Sequence, residues 1–97
     1  MIDFEWDFKK AITNLQKHRV DFREAATVLC DGLGITIYDP DHSDQEDRFI
    51  TIGSSDAGRF LMVSHTDRGD RIRIISAREL TRKERKEYEK EIQKRNR

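Results

Sequence analysis

The spacing of apolar residues divides the 97-residue chain into a helical first third, a stranded middle and a helical end. Phe4–Trp6 is a short apolar opening, and Trp6 is expected in the core. Asp7 is a good helix N-cap, and Phe8, Ala11, Ile12 and Leu15 then recur at helical spacing, predicting a first helix that ends near His18–Arg19. Asp21 should cap a second helix with Glu24 as a capping-box-like partner. Phe22, Ala25, Ala26, Leu29 and Cys30 line its inner face, and Asp31-Gly32 stops it. From there the period changes to two. Gly34–Tyr38 and Arg48–Ser54 read as strands around a polar loop, Asp39–Asp47. Arg59–Thr66 and Arg71–Ala77 form a hairpin about Asp67–Asp70. Arg78–Lys94 is rich in strong helix formers, with Leu80, Tyr88 and Ile92 as apolar anchors.

The predicted fold is α+β: two N-terminal helices, a four-stranded antiparallel sheet and a C-terminal helix, in one domain over 1–97. If Asp67 lies opposite Asp70, Ser64 faces Arg73, His65 faces Ile72 and Met62 faces Ile75. His65 then shares the core side with Ile72 and Ile74, while Arg71, Arg73 and Ile75 occupy the other.

Charge sharpens this layout. The formal net charge is zero, but Arg68–Arg97 holds twelve Lys/Arg against six Asp/Glu, and Met1–Asp67 holds seven against thirteen. Five of those acids fall in Asp39–Asp47. The chain is therefore a charge dipole, with two strand arginines running into a basic helix, a pattern suited to phosphate groups. No apolar run approaches 18 residues, no basic leader precedes Asp3 and Glu5, and the lone Cys30 allows no disulfide framework, so a cytoplasmic protein with no membrane span is expected.

Some chemistries find no support. Cysteine and the histidines stand at 18, 30, 42 and 65, without zinc-site spacing, and the acidic loop lacks the glycine of an EF-hand, so no metal or cofactor is expected. Neither a nucleophile elbow nor a glycine-rich phosphate loop occurs, and Cys30 reads as core. Cleavage of RNA needs less, because the substrate brings its own nucleophile in the 2′-hydroxyl. A base, an acid and fixed positive charge suffice. His42, Glu46 and Arg48 lead into one strand, Arg71 and Arg73 lie on another, and Arg78 opens the last helix. Plainer readings stand beside these. Arg71 and Arg73 can be solvent-facing strand residues, Arg78 a structural arginine paired with the acidic loop, and the far end of the last helix an ordinary exposed surface laced by Lys83–Glu87 attraction. His18 suits a helix C-terminus, and His65 the core. His42 is the one histidine in a loop.

In order along the chain stand F-E-W-D (Phe4–Asp7), Lys10, N-L-x-K-H (Asn14–His18), F-x-E-A (Phe22–Ala25), D-P-D-H (Asp39–His42) and E-x-R-F (Glu46–Phe49) before Gly53. R-I-R-I-I-S-A-R (Arg71–Arg78) and E-R-x-x-Y-E (Glu84–Glu89) follow. This ordered set resembles the BrnT family of type II toxins over nearly the whole chain. The resemblance implies a RelE-like architecture, a ribotoxin that cleaves RNA without metal and halts translation, and neutralisation by a BrnA-like antitoxin. It implies a 2:2 heterotetramer in which the antitoxin binds DNA, the toxin reaching DNA only through it. Carried onto this sequence, it implies Arg73 and Arg78 on the scissile phosphate, His42, Glu46 and Tyr88 as acid–base groups, and Lys17, Arg48 and Arg71 positioning the RNA. A non-catalytic RNA- or protein-binding module using the same basic face is the alternative.

Overall fold

The computed structural model describes residues 2–95. Two helices, α1 (Phe8–His18) and α2 (Phe22–Val28), lie on one face of a five-stranded mixed sheet of β1 (Asp3–Trp6), β2 (Ile35–Tyr38), β3 (Arg48–Ser54), β4 (Phe60–Arg68) and β5 (Arg71–Glu79), and α3 (Arg82–Arg95) crosses the other face. The sheet order is β1-β5-β4-β3-β2, with β1 parallel to β5 and every other pair antiparallel. The fifth strand is the departure from the sequence expectation. Phe4–Trp6 is an edge strand and not merely an apolar anchor, because Phe4 and Trp6 take the core side beside Ile72 and Ile74. The core is Val20, Phe22, Ala25 and Val28 against Leu61, Val63, Ile74 and Ala77, with Trp6 edge-on to Phe22 at 6.0 Å.

Asp7 and Asp21 cap α1 and α2 as their identities predict, accepting backbone N–H donors of Lys9, Lys10 and Arg23. Glu24 does not close a capping box. It turns away to accept from Arg59 and Ser55, and the Arg59 guanidinium holds its carboxyl below the usual range. Cys30 is exposed, because α2 stops at Val28 and Cys30 falls in the turn after it. Of the stripe on α1 that periodicity assigned to the core, Ala11 packs against it, but the rest is turned outward: Phe8 is 75% exposed, with Ile12 and Leu15 near half. α1 docks instead through Asn14, whose side-chain amide donates to the Val20 and Ala77 carbonyls and accepts from the Ala77 N–H. β1 pairs β5 only as far as Ile74, and Asn14 satisfies the β5 edge beyond it.

The hairpin turns on two residues, with Gly69 at φ +69°. Pairing is therefore Arg68 with Arg71, Thr66 with Arg73 and His65 with Ile74, two residues from the expected register, so the faces of Arg73 and His65 are preserved. A bulge then intervenes. His65 pairs with Ile74 but Ser64 with Ser76, which leaves Ile75 as the extra residue. Ile75 is thus not opposite Met62, which pairs with Arg78. The bulge reverses the parity of β5 and puts Arg71, Arg73, Ser76 and Arg78 on one face, opposite the core. The strand also runs on to Glu79, so α3 starts at Arg82 and not at Arg78. A reciprocal box fixes that start, Thr81 Oγ1 accepting from the Glu84 N–H and Glu84 accepting from the Thr81 N–H.

Candidate functional site

The acidic loop is a built structure. The Asp39 N–H donates to the Arg48 carbonyl, and the Ser43 hydroxyl donates to the Asp39 carbonyl while accepting from the Arg48 N–H. Pro40 starts a 3₁₀ turn over Pro40–His42 that brings the His42 ring back over Asp39, with Nδ1 2.9 Å from a carboxylate oxygen. The His42 side chain is 64% exposed, so Nε2 faces outward. Asp41, His42, Asp44, Glu46 and Arg48 line an open cleft of about 290 Å³ here. Arg68 reaches Glu46 at 3.0 Å. Three of those five side chains are carboxylates, so the cleft suits proton transfer better than it suits holding a phosphate.

Beside it lies the sheet face opposite the core. β-pairing sets Arg48, Thr66, Arg73 and Glu5 in one row across four strands, with Arg68 and Arg71 in the next. Arg48 and Arg73 stand two strands apart, roughly 10 Å. Thr66 between them is fully buried, and its hydroxyl has no partner among the described residues. Arg73 is held by Glu5 at 3.1 Å, both side chains about a quarter exposed.

Arg78 occupies the same face but the other end. Its guanidinium takes both oxygens of Glu84 at 2.8 and 3.0 Å and touches the Met62 sulfur. Tyr88, 6% exposed, packs on Phe60 at 5.6 Å between ring centroids and donates to the Leu33 carbonyl, and burial pushes its phenol upward in pKa. Phe60 pairs with Ser54 at one end of β3, whereas Arg48 and the acidic loop are at its other end, roughly 20 Å along the strand. Arg73 and Arg78 pair with Thr66 and Met62, four residues apart on β4 and roughly 13 Å along the strand, and α3 engages Arg78 and Tyr88 in its own packing.

A third feature is a cleft of about 320 Å³ between α1 and the β5 bulge, walled by Lys9, Lys10, Thr13, Lys17, His18 and Ser76. Lys17 belongs here and not beside Arg48. Among the described residues, no His, Cys, Asp or Glu group clusters tightly enough to hold a metal ion, and no helix is long and apolar enough to cross a membrane.

A family model described as the ribonuclease toxin BrnT of type II toxin–antitoxin systems matches residues 6–84. The chain belongs to the BrnT family. The fold is also that of the ribonuclease toxin BrnT from Brucella abortus: that crystal structure superposes with a TM-score of 0.63 at 24% identity, covering 84% of this chain and all of the other. No curated protein sequence matches. As a BrnT, the chain is a ribonuclease toxin, and a type II system implies a protein antitoxin as its partner. The family match ends at Glu84, so it includes the acidic loop, the arginine face and the Arg78–Glu84 pair, and leaves out all but the first turn of α3.

Of the residues singled out from the BrnT sequence, His42, Glu46 and Arg48 come together in one cleft, with Arg68, Arg71 and Arg73 on the adjoining face. Arg78, Tyr88 and Lys17 do not join them. The residues missed were Arg68, hidden in what read as a hairpin loop, and Lys9 and Lys10, which stand with Lys17 on α1. A signal for the latter stood in the sequence: Lys9, Lys10 and Lys17 fall on one side of the helix with no acid in the eleven residues of α1.

Proposed function

We propose that this BrnT chain cleaves RNA without metal by in-line attack of the 2′-hydroxyl, using the cleft of the acidic loop for proton transfer and the neighbouring arginines for charge. The observation that carries this reading is the pairing of His42 with Asp39 in a cleft shared with Glu46 and Arg48. Asp39 pairs with Nδ1 and orients the imidazole, leaving Nε2 to donate. Glu46, held by Arg68 at 3.0 Å, supplies the carboxylate oxygens that accept. Glu46 thus takes the proton of the 2′-hydroxyl, the 2′-oxygen bonds to phosphorus, the bond to the 5′-oxygen breaks, and His42 protonates that leaving oxygen. Arg48 and Arg73, with Arg71 beside them, offset the charge that builds on the phosphoryl oxygens. Arg78 and Tyr88 are assigned to holding α3.

The consequence in the cell is loss of RNA and arrest of translation, relieved by a BrnA-like antitoxin in a 2:2 complex. Purified chain incubated with total RNA in a chelator should give fragments ending in 2′,3′-cyclic phosphate and 5′-hydroxyl. His42→Ala should lower kcat by about 10²–10⁴. Fragments with 5′-phosphate ends would overturn the mechanism, full activity in a folded His42→Ala variant would remove the histidine from it, and RNA bound but left whole would make the chain a binding module.

A further inference from the structure

The proton-transfer cleft cannot anchor an RNA strand by itself, since Asp41, Asp44 and Glu46 outnumber Arg48 in its walls. The arginines nearest to it are largely spoken for. Arg68 is bound to Glu46 and Arg73 to Glu5. A substrate that carries one negative charge per nucleotide therefore needs a cationic surface elsewhere on the molecule.

The groove between α1 and the β5 bulge is that surface. We infer that it is a binding site for the RNA backbone, engaging phosphates one or more nucleotides away from the scissile bond. Lys9, Lys10 and Lys17 line it with His18, and no carboxylate does. Among the described residues none of the three lysines has a carboxylate oxygen within 4.0 Å, whereas Arg59, Arg68, Arg73, Arg78, Arg85 and Lys94 are each ion-paired. Thr13 and Ser76 add hydroxyls able to donate to phosphoryl oxygens. Lys10 and Lys17 are seven residues apart, roughly 10 Å along the helix, which suits a strand lying across the groove better than a single anion.

Position links the groove to the proposed centre. The bulge brings Ser76 onto the face of Arg73, and Glu5, which pairs with Arg73 in the sheet, stands three residues before the start of α1. A strand seated on the lysines therefore continues over Arg73 towards Arg48 and His42. The Asn14 hydrogen bonds fix the helix against β5, so the lysines are carried on a rigid element. This site rests on the ribonuclease reading and supplies what its proton-transfer cleft lacks. It favours RNA over an acidic protein segment because Ser76 of its wall shares the arginine face and the apolar side chains of Phe8, Ile12 and Leu15 are not in its lining.

The test is binding of a 2′-O-methyl RNA oligomer, which cannot be cleaved, to the full chain over a range of salt. Exchanging Lys9, Lys10 and Lys17 together for Gln should weaken binding and flatten the log–log salt dependence by about 2, from about 0.7 per lost phosphate contact. An unchanged melting temperature shows the variant folded. A control exchanging Lys83, Lys86 and Lys90 of α3 for Gln should leave the slope as it is. If the α1 triple variant binds with the wild-type slope, the site is overturned and its lysines are free for an acidic protein partner. If the α3 control flattens the slope equally, attraction is diffuse and the groove is equally refuted. Failure of the wild-type chain both to bind the oligomer and to cut total RNA would instead bring down the ribonuclease reading.

Discussion

At the scale of single residues, Asn14 does what an apolar side chain does elsewhere in a helix interface. It is buried, and its amide meets both polar groups of Ala77 and the carbonyl of Val20. Replacing it by Ala strands a buried N–H and two carbonyls, so Asn14→Ala should cost about 2–4 kcal/mol and lower Tm by roughly 10 °C or more in a thermal melt. A loss below about 0.5 kcal/mol would mean that water or a shifted helix replaces those bonds. The caps at Asp7 and Asp21 were legible because capping is local chemistry between neighbours in sequence. Asn14 was not, because its partner is 63 residues away and the outward stripe of Phe8, Ile12 and Leu15 imitates a core face. Gly53 shows the same blindness to distance. A Cβ there would stand 2.9 Å from the Asp31 carboxylate, which accepts the Ser54 N–H, and no local pattern announces that approach.

At the scale of elements, the boundary between β5 and α3 is decided by competition. Arg78 and Glu79 are good helix residues, yet pairing with Met62 and Leu61 keeps them in the strand, and the Thr81–Glu84 box starts the helix after them. Thr81-x-x-Glu84 stands in the sequence as a capping-box pattern, whereas a helix begun at Arg78 rests on propensity, the weaker guide at a helix start. Glu84 then serves two elements at once, closing the box and gripping Arg78 of β5. The Arg78 guanidinium, with help from the Thr81 N–H, holds its carboxyl down to about 2 against an ordinary 4.5. A carboxyl depressed in the fold contributes stability that is complete above the unfolded value and disappears as pH falls through the folded one. Wild type should therefore exceed Glu84→Gln by about 1–2 kcal/mol near pH 6, allowing for solvent screening, and the gap should close between pH 4.5 and 2. Denaturant unfolding at several pH values measures it, and a gap independent of pH would show that the pair does not clamp α3. The bulge at Ile75 belongs to this scale too. Alternation alone sets Arg78 on the opposite side from Arg73, and one extra residue reverses that.

At the scale of the whole molecule, the charge dipole seen in the sequence resolves into a division of labour along one sheet face. One end has the acidic loop with His42 and the Arg48–Thr66–Arg73 row; the other has α3 clamped by Arg78. The basic C-terminal third is thus spread over both ends, and three of its cations, Arg78, Arg85 and Lys94, pair with Glu84, Glu89 and Glu91 in their own neighbourhood. That separation makes two arginines five residues apart on one strand behave differently. Arg73→Ala removes charge from the proposed centre and should lower kcat for RNA cleavage by roughly 10²-fold or more with little change in melting temperature, because its ion pair with Glu5 is partly exposed. Arg78→Ala unpairs Glu84 and loosens α3 from the sheet, so it should lower stability by about 1–3 kcal/mol and leave kcat at temperatures below the melt within a few-fold of wild type. Single-turnover cleavage and thermal melts on the same two preparations separate the effects. If Arg78→Ala abolishes cleavage while the protein stays fully folded, the catalytic phosphate lies at the α3 end of the face, and the roles given to the two ends must be exchanged.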